Sequence, residues 1–278
     1  ISAFQERGLI MGKIKLIVMD MDGTLLNSEK VVSSYTKDLL KRLSAEGYKL
    51  GIASGRPITG LKRTVKALGI DNVINFMTGS NGAELFDVDN NQENCFYQLL
   101  PEIIDEIINL YAPFELNPYV YQGENCYAYR NDSTIERAAR NNQLGIVLCN
   151  LKEEIKTPQS KLVLSTPPEK MKQVETFYEE HKSDKYRAFK SQADMFEFVH
   201  PELSKIYGIK YYCQQHGYNI SEAAAFGDTT NDIEMLKECG TGVCMCNGTE
   251  DARQAADIIT KYNNDEDGLA KELESILF

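Results

Sequence analysis

Histidine is scarce in this chain of 278 residues: there are three, His181, His200 and His216, in unrelated contexts. None stands at a spacing that pairs it with a serine nucleophile or assembles a ligand set, so serine–histidine hydrolysis has no support. Each reads as a surface or packing residue. Long apolar runs are missing too, and no segment approaches the length of a membrane-spanning helix. Residues 1–10 lack the apolar stretch of a secretory signal and read as a loose leader, with Met11 as the expected original start. Positive charge is in deficit. Lysine and arginine number 30 against 41 aspartates and glutamates, a net charge of −11, which argues against nucleic acid or an anionic membrane as a main partner. An anionic substrate must therefore be drawn in locally, by a metal ion and a few basic groups. The seven cysteines are an odd, scattered set without secretory context, so reduced thiols in a cytoplasmic protein are expected. Cys244 and Cys246 are the only close pair, and Cys-x-Cys without a second pair or a nearby histidine makes a poor zinc site. Repeats and low-complexity tracts are absent.

What is present is concentrated in Lys15-Leu16-Ile17-Val18-Met19-Asp20-Met21-Asp22-Gly23-Thr24-Leu25. Apolar residues fill both alternations and then stop at two carboxylates one residue apart. Such a run suits a strand buried on both faces, at the centre of a parallel sheet. Ligands of such sheets bind beyond the carboxyl ends of the strands, where Asp20 and Asp22 should sit. Two acids and a glycine-permitted turn suit Mg²⁺-assisted phosphoryl transfer. The competing reading is a capped loop after a core strand.

Strand and helix signals alternate at both ends of the chain. A helix capped by Ser33 or Ser34 carries Leu39, Leu40 and Leu43 and ends by Gly47. Strands are expected at residues 48–53 and 73–76, with a helix from Pro57 to about Leu68-Gly69 between them and the turn-rich 78–82 after them. From residue 85 the pattern changes: an amphipathic helix over 99–111, a hairpin of 119–122 and 126–130, a helix over 133–143, a strand at 161–165, a helix over 168–181, and strands at 186–190 and 195–199. After Pro201 the alternation resumes with helices at 203–216, 232–239 and 269–276 and strands at 223–226 and 242–245. The expected architecture is α/β: a doubly wound, Rossmann-like parallel sheet formed by residues 11–84 and 191–278, interrupted by an α+β domain at 85–190.

Four elements of the interrupted domain fall where strands end or helices begin: Asp20-Met-Asp22-Gly-Thr24-Leu, Ala53-Ser54-Gly55-Arg56, Ser204-Lys205, and Gly227-Asp228-Thr-Thr-Asn231-Asp232-Ile-Glu-Met-Leu. In that order they resemble the haloacid dehalogenase (HAD) superfamily, specifically its Cof-type sugar-phosphatase branch. Asn81-Gly82-Ala83, Val243-Cys-Met245-Cys-Asn247 and Asn264-Asp265-Glu-Asp-Gly268 also look like that family. The resemblance implies a phosphoric monoester hydrolase acting on a small phosphomonoester. Asp20 would be the nucleophile and Asp22 an acid/base that begins protonated. Mg²⁺ would be held by Asp20, Asp228 and the backbone carbonyl of Asp22. Ser54, with Gly55, Arg56, Thr24 and Asn231, would meet the substrate and its phosphate, Lys205 would steady the phosphate charge, and Asp232 would orient its neighbours.

Two residues depart from the family pattern. Ile206 stands where glycine usually follows the motif lysine, and Cys246 replaces a glycine common before Asn247. The resemblance makes the inserted domain a cap closing over the phosphate site. In its hairpin Tyr119 and Tyr121 share one face, as do Tyr127 and Tyr129, to cover a sugar or to pack on the cap's own helices or on a partner cap. A phosphomutase using the same intermediate, and a phosphometabolite sensor without turnover, are the alternative activities. The physiological substrate and the oligomeric state are not written in these motifs.

Overall fold

The computed structural model describes residues 14–278; the expected leader and Met11 lie outside them. Two compact units divide the chain: residues up to Asn94 together with Ser204–Phe278, and the inserted Cys95–Leu203. Before the insertion come β1 (Leu16–Asp20), β2 (Lys49–Ala53), β3 (Phe76–Gly79), β4 (Glu84–Asp87) and β5 (Gln92–Cys95). The insertion contributes β6 (Asn117–Gln122), β7 (Asn125–Ala128), β8 (Gly145–Leu148), β9 (Leu162–Ser165), β10 (Arg187–Gln192) and β11 (Met195–Val199). After it follow β12 (Ala223–Gly227), β13 (Thr241–Cys244) and β14 (Ile258–Ile259).

The first unit is a sheet of order β14-β13-β12-β1-β2-β3-β4-β5. β1 runs parallel to both β12 and β2, and β4 pairs antiparallel with β3. All five residues of β1 are buried, as expected of a central strand. Ile17 and Met19 join Leu39, Leu40 and Leu43 of the helix Ser34–Ala45, Leu61 and Val65 of Ile58–Leu68, and Leu273 and Ile276 of Gly268–Leu277 in one apolar cluster. Elsewhere Phe76 of β3 stacks on Tyr212 of the helix Lys205–His216, ring centroids 4.0 Å apart. Leu236 of Ile233–Glu238 packs with Cys244, the neighbour of Val243, which faces the large cluster. Helices therefore cover both faces, and the expected doubly wound α/β core is present.

Ser33 caps the first helix, accepting the Thr36 N–H at 3.0 Å. The third strand lies later than residues 73–76. Its ladder with β2 begins at Gly51–Phe76 and runs to Ala53–Thr78. Val73 and Ile74 are buried outside any strand, and Asn75 accepts the Leu50 N–H at 2.9 Å through its side chain. Apolar burial without a ladder mimicked a strand there.

The inserted unit is a mixed sheet of order β10-β11-β9-β6-β7-β8. One face packs Leu162, Leu164, Phe196 and Phe198 with Ile104, Ile107 and Ile108 of the helix Pro101–Tyr111 and Met171 and Val174 of Pro168–Glu180. The other packs Tyr119, Cys126 and Val163 with Ile135, Ala138 and Ala139 of Ser133–Asn142. The tyrosines divide between these faces as the strand period requires: Tyr119 and Tyr121 join the second cluster, Tyr127 and Tyr129 the first. The unit is bounded at 95 and 203, beyond the expected 85 and 190. β4 pairs with β3 and β5 follows it in the first sheet, whereas β11, the expected strand at 195–199, pairs with β9 of the second.

Candidate active site

Three adjacent parallel strands of the first unit deliver their polar residues to one edge. Asp20 ends β1, Ser54 follows β2, and Asp228 follows β12. Lys205 is the first residue of its helix and is 1 % exposed. Its Nζ donates to Asp20 Oδ1 at 2.5 Å and to Asp232 Oδ1 at 2.7 Å. The second oxygen of Asp232 accepts the backbone N–H groups of Asp228 and Thr229, both at 3.0 Å. Both oxygens of Asp232 are thus engaged by the protein, which makes it an organiser of Lys205 and of the Asp228 loop. Thr24 Oγ1 donates to Asp228 Oδ1 at 3.0 Å. Gly23 lies directly against the same carboxylate: its φ is +90°, and a Cβ there would stand 2.3 Å from Asp228 Oδ2. Only glycine fits that turn.

Asp20, Asp228 and Asp232 are all buried, with one oxygen from each lying within 4.8 Å of the others. Among the described residues Lys205 is the cation that meets this group. Burial pushes the Asp20 carboxyl well above the usual carboxylate range, against the pull of the Lys205 ammonium, and Asp232 and Asp228 push it further. Burial and Asp232 likewise push Asp228 up to about 6. Lys205 moves the other way to its burial, held protonated by the two carboxylates it touches. Three buried carboxylates against one ammonium leave negative charge without compensation, and oxygen donors in that state suit a hard divalent cation.

Asp22 differs from expectation. Arg56 grips both of its oxygens, Nε to Oδ2 and Nη2 to Oδ1 at 2.9 Å, and Lys30 Nζ adds a third contact at 2.9 Å. The two cations overcome partial burial and lower the carboxyl to about 2. In this arrangement Asp22 is ionised, not the protonated acid that the family resemblance implies. Arg56, expected at the phosphate, is engaged with Asp22, and the Thr24 hydroxyl, also expected there, is engaged with Asp228. Ser54 is buried where expected; its Oγ accepts the Arg56 N–H at 3.2 Å, so its own proton remains to donate. Gly55 lies against the Asn81 side chain, which a Cβ at 55 would approach to 3.2 Å. Asn231 donates from Nδ2 to Asn81 Oδ1 at 3.1 Å.

The two departures from the family pattern leave the frame intact. The helix begins at Lys205 with extended Ser204 before it, and the close helix–strand approach falls at Gly208, where a Cβ would stand 2.4 Å from Thr78 Oγ1. Cys246 donates its N–H to Thr260 Oγ1 at 3.0 Å, and its neighbour Asn247 reaches the Gly23 carbonyl at 2.9 Å. Histidine gives a second difference. His216 meets Asp87 at 2.8 Å and has Asp89 nearby, a grouping that 129 residues of separation hid. Those carboxylates already serve Asn90, Tyr212 and Lys49.

The sequence pattern of the haloacid dehalogenase-like hydrolases matches residues 17–273. The chain belongs to that family. Like other HAD-type phosphatases of the Cof-type branch, it is a hydrolase. It is 23% identical over 264 residues, 93% of this chain and 96% of the relative, to the 5-amino-6-(5-phospho-D-ribitylamino)uracil phosphatase YitU of Bacillus subtilis. A haloacid dehalogenase-like hydrolase from Bacteroides thetaiotaomicron is 29% identical, with a TM-score of 0.85 covering 95% of this chain and all of that one (100%). The HAD subclass IIB sugar phosphatase BT4131 shares the fold, at 22% identity and a TM-score of 0.79, over 94% of this chain and 98% of that one. Among the described residues no helix is long and apolar enough to cross a membrane.

Proposed function

We propose that this HAD-type phosphatase is Mg²⁺-dependent and hydrolyses small phosphomonoesters, sugar phosphates foremost, through an aspartyl-phosphate on Asp20. The observation that carries the reading is the buried Asp20–Lys205–Asp232–Asp228 group, with its surplus of negative charge at the carboxyl edge of the parallel sheet.

In the first half-reaction a carboxylate oxygen of Asp20 attacks phosphorus, the ester P–O bond breaks, and the departing alkoxide takes a proton from Asp22. In the second, Asp22 removes a proton from water while the water oxygen attacks phosphorus. The acyl-phosphate P–O bond then breaks, releasing inorganic phosphate and restoring the Asp20 carboxylate. Lys205 offsets the charge of the phosphoryl oxygens, and Ser54 donates its hydroxyl proton to one of them. Mg²⁺ would be held by Asp20, Asp228 and the Asp22 carbonyl, and would supply positive charge to offset that of the phosphoryl group. The ion pair with Arg56 suits Asp22 to the second half-reaction, where an ionised carboxylate is the base. For the first, Arg56 must release Asp22, and a substrate phosphate is an anion that competes for the same guanidinium.

The names of YitU and BT4131 point to a phosphate ester on a polyhydroxylated carbon chain, ribityl in one and sugar in the other. Assaying phosphate release from a panel of sugar and polyol phosphates with Mg²⁺ tests the substrate class. A chromogenic phosphomonoester tests the chemistry: Asp20→Asn should abolish turnover, chelation should stop it and Mg²⁺ should restore it. Full activity in Asp20→Asn would refute the proposed nucleophile.

A further inference from the structure

Ser80, Asn81 and Gly82 are consecutive, buried and left-handed, with φ of 48°, 57° and 101°. Two non-glycine residues in that region carry a conformational cost, and the surroundings must over-determine the turn. Its contacts reach outward, to three separate parts of the site. Ser80 and Asn81 donate their N–H groups to the carbonyls of Arg56 and Ser54, at 2.8 and 3.0 Å. A Cβ on Gly82 would stand 2.1 Å from the carbonyl oxygen of Ser204, the residue that precedes Lys205. The Asn81 side chain accepts from Asn231 Nδ2 at 3.1 Å.

Glycine would meet the backbone demand at position 81 at lower cost, so asparagine there supplies something that glycine lacks: a carbonyl oxygen facing Asn231. Asn231 is fixed at both ends of its amide. Its Oδ1 accepts from Thr229 Oγ1 at 2.6 Å, and its Nδ2 has Asn81. Removing the Asn81 oxygen leaves Asn231 held through its Oδ1 alone, with the backbone bonds of the turn still in place.

We propose that Asn81 is a positioning residue, which locks Asn231 to the Ser54–Arg56 loop so that phosphate-facing groups from separate strands hold one register. This rests on the phosphatase reading above. Asn81 acts through Asn231, so the two residues must be energetically coupled.

A double-mutant cycle tests it, reading kcat and KM on a phosphomonoester and the affinity for inorganic phosphate with Mg²⁺ present. Asn81→Gly and Asn231→Ala should each lower kcat/KM about tenfold, and the double variant should lose little more than either alone. Asn81→Asp keeps an acceptor for Asn231 and should retain more of kcat than Asn81→Gly, with a raised KM from its added negative charge. Thermal unfolding of Asn81→Gly should stay near wild type, because glycine accepts this φ. If Asn81→Gly does not fold, Asn81→Ser, whose short side chain lacks the amide oxygen, takes its place in the cycle with Asn231→Ala. Wild-type turnover with losses that multiply, or with Asn81→Gly fully active, overturns the inference alone. A wild-type protein that neither hydrolyses phosphomonoesters nor binds phosphate overturns the phosphatase reading with it.

Discussion

The guanidinium of Arg56 lies along the carboxylate of Asp22 as a two-pronged fork, Nε on Oδ2 and Nη2 on Oδ1, each at 2.9 Å. With Lys30 beside it, the fork keeps Asp22 ionised down to about pH 2. The pair explains how a residue with two jobs can be held in the state that one of them needs. In the proposed mechanism an ionised Asp22 is a ready base for the water step, and its acid role waits on an anion that draws Arg56 away.

Replacing Arg56 by glutamine should raise the Asp22 carboxyl by about 1 to 3 units, toward the usual carboxylate range. Because the base must be ionised, and is so only above its pKa, the acidic limb of the pH–rate profile should move up in Arg56→Gln. With saturating Mg²⁺, which would hold Asp20 and Asp228 ionised, the variant should lose activity toward acid before wild type does. KM should rise as well, since the guanidinium is also the proposed phosphate contact. Superimposable acidic limbs would show that Arg56 does not set the state of Asp22.

Lys205 is held by two buried carboxylates, so Lys205→Met leaves Asp20 and Asp232 without their shared cation. Removing one partner of a buried ion pair costs about 3 to 5 kcal/mol, and chemical denaturation should find a loss of that order. Mg²⁺ should recover part of it by taking up the uncompensated charge. A variant as stable as wild type would mean that the group carries its charge in another way.

Asp228 gives a prediction of opposite sign. Its folded carboxyl is raised to about 6 from a normal value of 3.8. A carboxyl raised on folding binds protons more tightly in the folded state. It therefore costs stability as pH climbs through about 4 to 6, and the full cost stands at pH 7. Asp228→Asn removes that cost, so the metal-free variant should melt higher than metal-free wild type at pH 7, by an amount on the order of 2 kcal/mol. The same variant should lose the rise in melting temperature that Mg²⁺ gives wild type. Equal melting of the metal-free proteins, or an unchanged Mg²⁺ shift, would contradict the role given to this carboxylate.

What could be read from the chain is what chain order carries. The buried run before Asp20, the Gly-Asp after an apolar strand and the lysine opening a helix each mark a strand end or a helix start. Adjacent parallel strands then bring those marks to one edge without further information. The partners of Asp22 follow no such rule. Lys30 is a lysine in a polar loop, and Arg56 reaches back across 34 positions through a choice of rotamer. Thr24 was legible as a site residue, yet its hydroxyl turned to Asp228, because a buried carboxylate outcompetes an open position. The role of Asn81 depends on three left-handed residues in a row, which composition marks only as a turn. The edge strand β8 is hidden in the sequence for a related reason: four residues, Gly145-Ile-Val-Leu148, give too short a window for a period to emerge.

The most direct test of the account is to trap the covalent intermediate. Acid quenching of wild-type protein during turnover of a phosphomonoester with Mg²⁺, followed by peptide mass spectrometry, should find one phosphoryl group on the peptide carrying Asp20 and localise it to that carboxylate. A phosphoryl group on another residue, or steady turnover by Asp20→Asn, would contradict it.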